Sequence, residues 1–352
     1  MTPAFEPTAS SAADDPRAWM ETLAAPFERE LRAFCAHVGR AGVANLHDAA
    51  VYALGADIED AALRGKRIRP ILCLMTAEAL GADRALAMPF ALSIELMHNF
   101  ALVHDDMEDG DIMRRGRDAA WIKYGVPHAI NIGDFLLVST MTALTEWGPA
   151  ALDAAARFRL LRLIAAALDH THVGQALDMN ARARRSFSKE EYLRIVREKT
   201  GYYLAAPIQG GAIVAGADDA TLAAIGEMAQ FLGPLFQIID DIIDLTDGKG
   251  RESIGSDIRE GKRSYLVAHA AERATPAERE RLFDILDLPR EATGAEAIQE
   301  LVVLFEKYDA IGAGRAYCQA LYQQSQGVLA RLPVPLARRL GPVFELLARR
   351  KH

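Results

Sequence analysis

Two acidic motifs of one form, DDxxD, are the residues of this chain best suited to chemistry. The first runs from Asp105 to Asp109 within LVHDDMEDGDIMRRG, and the second from Asp240 to Asp244 within FQIIDDIIDLTDGKG. On an α-helix the first and last Asp of each motif share one face, with the second Asp beside them. Like charges about 4 Å apart repel by roughly 4 kcal/mol at an effective dielectric constant near 20, so these carboxylates need cations.

The types of ligand indicate which cation would bind. Oxygen ligands with little His or Cys nearby suit Mg²⁺ better than Zn²⁺, and Mg²⁺ is commonly bound together with phosphate. Both motifs end apolar helical runs, which predicts that they lie at the mouth of a core. A solvated acidic face without metal is the alternative for either motif taken alone.

Basic residues accompany the acidic motifs along the chain. They are Lys66 and Arg69 in RGKRIRP, Arg114 and Arg115 in RRG, Lys199 beside Thr200, and Lys262 in REGKRSY. Arg can hold phosphate oxygens through two parallel hydrogen bonds, and Lys acts as a point charge. The pattern predicts an anionic, phosphorylated substrate.

The bulk properties limit the class of protein. The chain has 352 residues, 51% of them hydrophobic, and a formal net charge of -8, which argues against a nucleic-acid surface. Its three cysteines, Cys35, Cys73 and Cys318, form no CxxC pair, which is typical of a reducing compartment. Residues 1–15 lack the features of a signal peptide and are expected to be a flexible tail. No run is expected to reach the length of a membrane span, so the predicted location is cytoplasmic.

The composition predicts an all-α, single-domain helical bundle. Ala, Leu, Arg and Glu dominate, strand-like alternation is almost absent, and no linker divides residues 16–352. The apolar composition of 84–110, 150–182 and 218–246 predicts central helices. The predicted helices are 16–40, 66–80, 84–110, 127–147, 150–182, 188–215, 218–246, 262–273, 275–287, 293–307, 309–331 and 334–350.

An ordered set of motifs resembles the trans-isoprenyl diphosphate synthases, the polyprenyl synthase family that includes farnesyl and geranylgeranyl diphosphate synthases. The resemblance runs from about residue 60 to 330. It rests on GKRIRP, HDDMED with RRG behind it, WIKYGVPHAINIGD, GQALDM, KTGYY, FQIIDDIID and GSDIREGKRS, in that order. It implies a bundle of the isoprenoid synthase type around a central cavity, working as a homodimer.

The resemblance also implies roles for individual residues. Asp105, Asp109 and Asp240 would hold Mg²⁺, with three ions in the substrate-bound state, and Asp106, Asp241 and Asp244 would help directly or through water. The positions that contact the allylic diphosphate are matched by Arg114, Lys199, Thr200, Gln237 and Lys262. Those that hold isopentenyl diphosphate are matched by Lys66, Arg69, His98 and Arg115. Only the allylic substrate loses its diphosphate, so only that group needs metal to neutralise a leaving group.

The implied reaction is Mg²⁺-dependent head-to-tail prenyl transfer. The allylic C–O bond ionises, the isopentenyl double bond attacks the carbocation, and a proton is lost to the released diphosphate. Backbone carbonyls near Lys199 and Thr200, or the Gln237 amide, would stabilise the cation, and the apolar wall would exclude water. Gln175 and Asp178 are expected to face the same cavity, whereas His104 is expected to pack against or cap the cluster.

Two positions depart from the family pattern. Ser253 stands where the family often carries Lys, and Lys249 or Arg251 would have to replace that cation. Arg64 stands in place of the usual Gly before GKR.

The residues before the first motif are expected to form the floor of the cavity and to set product length. They are Met97, Phe100 and Ala101. Phe100 lies about 7.5 Å down the helix axis from Asp105, at about 1.5 Å per residue. One aromatic side chain at this level predicts a C15 to C20 product, with C20 favoured.

Three other readings of the sequence remain. A class I terpene synthase would use the same fold but would not need the isopentenyl site. A non-catalytic partner subunit of a prenyl synthase would not need two intact acidic motifs. A helical scaffold with two acidic patches would leave the ordered basic residues unexplained.

Overall fold

The computed structural model describes residues 16–38, 44–60, 63–149, 151–246 and 254–349. Nearly all of its regular structure is helical, as the sequence predicts. The α-helices are α1 (Pro16–Val38), α2 (Ala44–Leu54), α3 (Ile68–Ala79), α4 (Arg84–Asp109), α5 (Ala120–Tyr124), α6 (Val126–Thr145), α7 (Ala154–Arg182), α8 (Lys189–Val196), α9 (Tyr202–Val214), α10 (Asp219–Glu227), α11 (Ala229–Thr246), α12 (Ser256–Arg259), α13 (Tyr265–Arg273), α14 (Pro276–Leu286), α15 (Ala295–Lys307), α16 (Ala310–Leu329) and α17 (Val334–Arg349). The predicted tail, residues 1–15, lies outside the described residues.

Helix α4 is the central helix of the bundle and packs against α3, α6 and α9. Every side chain from residue 87 to 97 is buried. The Asp83 carboxylate caps its first turn by accepting from the Ala85 amide at 2.9 Å, and Gly110 ends it with a φ of 69°. The helix therefore begins and ends where its caps are, and the first DDxxD motif occupies its last turn.

Helix α7 is not central, which corrects the prediction for 150–182. Leu160, Ile164 and Ala167 are buried on one face, whereas Phe158 is 62% exposed and Val173 is also exposed. The apolar residues on the opposite face mislead the sequence prediction, because they are surface residues in this chain.

A π-helix, Arg197–Gly201, interrupts the predicted helix 188–215 and joins α8 to α9. Glycines allow its neighbours to approach closely. A Cβ at Gly174 of α7 would lie 2.1 Å from the Lys199 amide nitrogen, and a Cβ at Gly233 of α11 would lie 2.4 Å from the Val196 carbonyl oxygen. The π-helix is therefore wedged between α7 and α11, and no larger residue fits at these contacts. π-Helical turns inside α-helices often occur at functional sites.

The predicted helix 218–246 is divided at the buried Met228 into α10 and α11. No proline marks this break and apolar residues continue on both sides of it, so the sequence predicts one helix here. Helix α11 carries the second DDxxD motif near its end.

Several elements escape prediction, and all of them except the 11-residue α2 are too brief to show a period. They are α2, α5, α12, a 3₁₀ helix (Arg290–Ala292) and the two-stranded antiparallel ladder of β1 (Met113–Arg114) and β2 (Arg117–Asp118). The turn of the ladder is Arg115-Gly116, and both residues have positive φ, 54° and 73°. Left-handed conformation at two successive residues is typical of a tight hairpin. This hairpin fixes the positions of Arg114 and Arg115.

Two helical segments, Arg84–Asp109 and Asp219–Thr246, are long and apolar enough to cross a membrane by length and composition alone. This corrects the expectation that no run reaches that length. Their most apolar stretches are 78% and 56% buried within the protein. Burial of this kind is typical of core helices, so the two segments are weak indications of a membrane span.

Candidate active site

The first DDxxD motif lies at the carboxyl end of α4 and divides its carboxylates between two directions. Burial raises the pKa of Asp109, and the nearby Asp105 carboxylate raises it further. Asp105 and Asp109 therefore face each other, as residues four apart on a helix do. Such a pair of oxygen ligands is suited to a divalent cation, because the cation would relieve their repulsion.

Asp106 points away from this pair, towards the hairpin. It is buried, and its carboxylate accepts from Arg114 Nε at 2.8 Å and also from Arg114 Nη2. Burial raises the pKa of Asp106 to about 6, although Arg114 opposes the shift. The Arg114 guanidinium is also 3.5 Å from Asp111. In this structure Asp106 and Arg114 are partners of each other.

A lattice of alternating charges lies beside the Asp105–Asp109 pair. Arg182 Nη2 donates to Asp109 Oδ1 at 2.7 Å, and Lys199 Nζ donates to Asp178 Oδ2 at 3.0 Å. Lys199 Nζ also lies 3.6 Å from Asp105 Oδ1. Burial would raise the pKa of Asp178, but Lys199 and Arg182 lower it to below its usual value. The carboxylate therefore stays ionised although it is buried.

The second motif also divides its carboxylates. Asp240 is half-buried, whereas Asp241 and Asp244 are buried and hydrogen-bonded within the protein. Asp241 accepts three hydrogen bonds, from Tyr192 Oη at 2.6 Å, from Lys262 Nζ at 2.9 Å and from Gln237 Nε2 at 3.2 Å. Asp244 accepts two, from Ser256 Oγ at 2.6 Å and from the Asp257 amide at 3.1 Å. These contacts hold the end of α11 in place, with Asp240 as its most accessible carboxylate.

The two motifs are linked by basic residues. Lys262 contributes to lowering the pKa of Asp178, so the cation bound to the second motif lies near the lattice of the first. Lys199 lies between α7 and α4. Burial would lower its pKa, but the carboxylates of Asp178, Asp105 and Asp109 raise it. Thr200 is buried beside it in the π-helix. The sequence-predicted allylic residues therefore meet at one end of the bundle.

A second group of basic residues surrounds His98 of α4, which lies two helical turns before Asp105 on nearly the same face. Arg69 Nη1 is 3.3 Å from His98 Nε2, and the Arg69 guanidinium stacks 4.6 Å over the ring of Tyr203. Burial lowers the pKa of His98 well below its usual value, and Arg69 and then Arg115 lower it further. His98 is therefore neutral among cations. Lys66, three residues before Arg69 in the chain, is exposed.

Arg115 completes this second group. Burial lowers its pKa to about 10, and the neighbouring Arg67, Arg114 and Arg117 contribute to the shift. Several positive charges at close range repel one another, so the arrangement favours binding of an anion.

The predicted floor residues lie in the core next to the first motif. Met97 and Phe100 are buried, and Ala101 is half-buried. The Phe100 ring centroid is 4.9 Å from that of His104 and 5.9 Å from that of His172 on α7. His104 Nε2 in turn lies 3.8 Å from Asp134 of α6. Phe100 therefore fills the space between α4 and α7, about one and a half turns below Asp105.

Among the described residues, no group of three or more His, Cys, Asp or Glu side chains is already arranged to hold a metal ion. Protein cations neutralise most of the carboxylates instead. The donor chemistry nevertheless fits Mg²⁺ at Asp105 and Asp109, since both are oxygen ligands whose proximity is unfavourable without a cation. Asp106, Asp241 and Asp244 are engaged by protein donors, which suits them to orient the motifs.

Several residues of the site are absent from the sequence prediction. Arg182 could have been found, because it stands four residues after Asp178 on the same helix. Arg67 and Tyr192 give no such signal, since their contacts join segments far apart in the chain. Asp257, which accepts from Lys262 Nζ at 3.2 Å, lies within the GSDIREGKRS motif. Gln175, which was predicted, donates to Asp105 at 3.3 Å. Ser253, Lys249 and Arg251 lie outside the described residues, and Arg64 donates to the Glu59 carbonyl at 3.0 Å.

Comparison with known proteins gives one consistent family. Residues 54–304 match the family model described as polyprenyl synthetase. A short chain isoprenyl diphosphate synthase of Methanothermobacter thermautotrophicus is 38% identical over 248 residues, 70% of this chain and 74% of that protein. The crystal structure of geranylgeranyl pyrophosphate synthetase from Pyrococcus horikoshii Ot3 is similar with a TM-score of 0.83 at 27% identity, covering 97% of this chain and 100% of that one. The crystal structure of polyprenyl synthase from Caulobacter crescentus CB15, complexed with calcium and isoprenyl diphosphate, is similar with a TM-score of 0.81 at 25% identity. The match covers 98% of this chain and 100% of that one.

The charge lattice predicts a pH-dependent effect of Asp178→Asn. The pKa of Asp178 is lowered on folding, so its ionised form stabilises the protein above its unfolded pKa of about 4, and that contribution is lost as the pH falls through the lower folded value. We expect the variant to lower the free energy of unfolding by about 3 kcal/mol at pH 7 and by less at pH 3. Urea unfolding measures both values.

Asp169→Asn is the matched control, because Asp169 is exposed on the same helix. It should change the free energy of unfolding by less than about 0.5 kcal/mol at either pH. An equal loss for Asp178→Asn at pH 7 and pH 3 would contradict the role given to its charge.

Proposed function

This chain belongs to the polyprenyl synthetase family and is a prenyltransferase, and on that premise we propose the reaction that its site performs. It condenses an allylic diphosphate with isopentenyl diphosphate, head to tail and with Mg²⁺, to give a C15–C20 trans-prenyl diphosphate plus diphosphate. Residues 16–352 act as one polyprenyl synthase domain. The observation that carries the proposal is the presence of two distinct groups of basic residues, only one of which lies among the DDxxD carboxylates.

The group among the carboxylates is proposed to bind the allylic diphosphate. Asp105, Asp109 and Asp240 would hold Mg²⁺, which when bound supplies positive charge to the leaving diphosphate. Lys199 and Lys262 would add fixed positive charge, because each already lies within 3.0 Å of a site carboxylate. Arg114 would exchange contact with Asp106 for contact with phosphate, and Thr200 and Gln237 would complete the contacts.

The group without metal ligands is proposed to bind isopentenyl diphosphate. Lys66, Arg69 and Arg115 would hold a diphosphate that is not cleaved and so needs no metal. His98, whose pKa is well below its usual value because of burial and Arg69, would contribute a neutral N–H donor. The Caulobacter crescentus relative, crystallised with isoprenyl diphosphate and calcium, supports a fold that binds such substrates.

The chemistry that follows depends on charge placement and on exclusion of water. The allylic C–O bond ionises, the isopentenyl double bond attacks the resulting cation, and a proton passes to the released diphosphate. The π-helix carbonyls around Lys199 and Thr200 and the Gln237 amide are proposed to stabilise the cation. The apolar side chains of α4 below Asp105 would keep water from trapping it.

Product length is proposed to follow from Phe100. Its buried ring, packed against His104 and His172, stands where a growing chain would extend below Asp105. The similarity to geranylgeranyl pyrophosphate synthetase of Pyrococcus horikoshii supports a C20 product within the proposed C15–C20 range.

The enzyme is proposed to be a cytoplasmic homodimer. Helix α6 exposes an apolar row, Val126, Ile130, Val138 and Met141, and neighbouring α7 exposes Phe158. Exposed apolar residues grouped on one face are typical of a contact surface. Burying them against a second copy would explain why α7 is apolar on two faces.

Two alternative functions are less well supported. A class I terpene synthase has no use for the Arg69–His98 group, which lies apart from the metal ligands. A non-catalytic partner subunit has no use for carboxylates as fully oriented as Asp241 and Asp244.

Incubation with defined substrates tests the reaction. Purified protein with Mg²⁺, labelled isopentenyl diphosphate and, separately, dimethylallyl, geranyl or farnesyl diphosphate should give elongated prenyl diphosphates up to C20 by chromatography. Chelation of Mg²⁺ and the Asp105→Asn variant should each abolish product, whereas Asp169→Asn should retain it. Consumption of an allylic substrate alone would indicate a terpene synthase, and no turnover would favour the partner subunit.

Shortening the floor residue tests product length. Phe100→Ala should give products at least one isoprene unit longer than wild type, because the ring no longer blocks the chain. Phe90→Ala is the matched control: it removes an equally buried ring from the same helix, packed against Gly210, and should leave product length unchanged. Both should cost about 3–5 kcal/mol of stability. An unchanged product from Phe100→Ala would rule out the floor role.

Placing charge on the apolar row tests the dimer. Val138 is 60% and Met141 50% exposed, so Val138→Glu and Met141→Glu should fold normally but shift the protein from dimer to monomer in sedimentation velocity. Val303→Glu on α15, where the side chain is 53% exposed, should leave the dimer intact. A monomeric wild type would contradict the proposal.

A further inference from the structure

A chain of buried polar side chains runs from α1 to Arg115, in the group of basic residues proposed to bind isopentenyl diphosphate. Arg67 donates through Nε to Glu28 Oε1 at 2.7 Å and through Nη1 to Glu95 Oε1 at 2.5 Å. Asn99 Nδ2 donates to the same Glu95 oxygen at 2.8 Å. Asn99 Oδ1 accepts from Arg115 Nη2 at 2.8 Å. The chain thus joins α1, the segment before α3, α4 and the hairpin in one continuous path.

Its members are deeply buried. Exposure is 8% for Glu28, 5% for Arg67, 2% for Glu95 and 0% for Asn99. Ionised groups at such depth are unfavourable unless they are paired and hydrogen-bonded. With Arg115 included, the hydrogen-bonded path holds two carboxylates and two guanidinium groups, and Arg64 Nη1 lies 3.7 Å from Glu28 Oε2 at its far end. Asn99 is the only uncharged member of this path among the described residues, and it transmits orientation because its donor and acceptor ends have different partners.

Arg115 needs such support because its backbone is unfavourable. A non-glycine residue with a φ of 54° is held in the left-handed region by its surroundings. The side chain lies against two glycines: a Cβ at Gly55 would approach Nη1, and one at Gly65 would approach Nε, each to 3.3 Å. Arg115 Nη1 also donates to the Ala53 carbonyl at 2.7 Å. Two anchors thus fix the guanidinium, which has five N–H donors in all.

We propose that the Glu28–Arg67–Glu95–Asn99 chain is a positioning device that holds the Arg115 guanidinium ready for the isopentenyl diphosphate. The inference rests on the proposed function and adds that the affinity for this one substrate depends on side chains that never touch it. It also gives α1, which precedes the family match at residue 54, a part in the site. Removing the Asn99 amide lets the Arg115 guanidinium reorient. The site then keeps the positive charge of Arg115 but loses the orientation that binds the diphosphate.

Equilibrium binding without metal tests the proposal directly. Isopentenyl diphosphate is titrated calorimetrically into full-length protein in the presence of a chelator, since this site needs no Mg²⁺. Asn99→Leu should raise its Kd about tenfold, as expected for loss of a hydrogen bond to a charged group. In steady-state assays the KM for isopentenyl diphosphate should rise by a similar factor, while the KM for the allylic diphosphate and kcat stay within about twofold.

A double variant provides the rescue. Glu95→Gln with Asn99→Asp exchanges the amide and the carboxylate, so that the acceptors for Arg67 and Arg115, the bond between positions 95 and 99 and the net charge of the chain are kept. Only the bond from Asn99 Nδ2 to the Glu95 carbonyl, at 2.8 Å, is lost. Its Kd for isopentenyl diphosphate should return to within about threefold of wild type. Ser93→Ala is the control for general damage. Ser93 is equally buried on α4 and donates to the Thr140 carbonyl at 2.8 Å, so its loss should lower Tm and leave both KM values unchanged.

The outcomes separate this inference from the proposed function. Wild-type protein that neither binds nor consumes isopentenyl diphosphate would overturn both. Normal wild-type binding with an unchanged Kd in Asn99→Leu would overturn only the positioning role. Equal increases in both KM values, or a rescue variant that regains Tm but not affinity, would show that the chain supports only the fold.

Discussion

The confinement of many carboxylates at the end of an apolar bundle is the constraint on which the site depends. Buried acids remain ionised only where cations lie close, and Lys199, between Asp178 and Asp105, supplies the most connected of these charges. Its placement requires the π-helix to touch α7 and α11, which in turn requires glycine at Gly174 and Gly233. The electrostatic balance of the site therefore depends on close backbone packing around the π-helix.

The two groups of basic residues differ in how they are balanced. Around the DDxxD motifs each basic side chain has a carboxylate partner. When substrate and metal bind, the basic side chains can move to the phosphate and the carboxylates to the metal. Around Arg69, His98 and Arg115 the positive charges lie close together, and balance comes from the interior through Glu95 and Glu28. The first arrangement suits a group that leaves, and the second suits a group that stays.

The helical class, the long helices and the positions of both acidic motifs could be predicted from the sequence, because period and motif spacing are local properties. The single buried face of α7 could not, since an apolar side chain looks the same whether it faces the core or a surface. The break at Met228 could not either, because no proline marks it in the sequence. Arg67 and Tyr192 escaped prediction for a related reason. Their partners, Glu95 and Asp241, are distant in sequence and are brought near only by folding.

The π-helix also has a consequence for how this segment tolerates change in length. A π-turn contains one residue more than an α-turn, so α8 and α9 differ in register by about 100° from a continuous α-helix. Deleting any residue of 197–201 would restore regular hydrogen bonding locally, yet rotate Tyr192 away from Asp241 or Tyr203 away from Arg69. The segment can therefore vary in side chain more readily than in residue count, and its extra residue is a fixed part of the architecture.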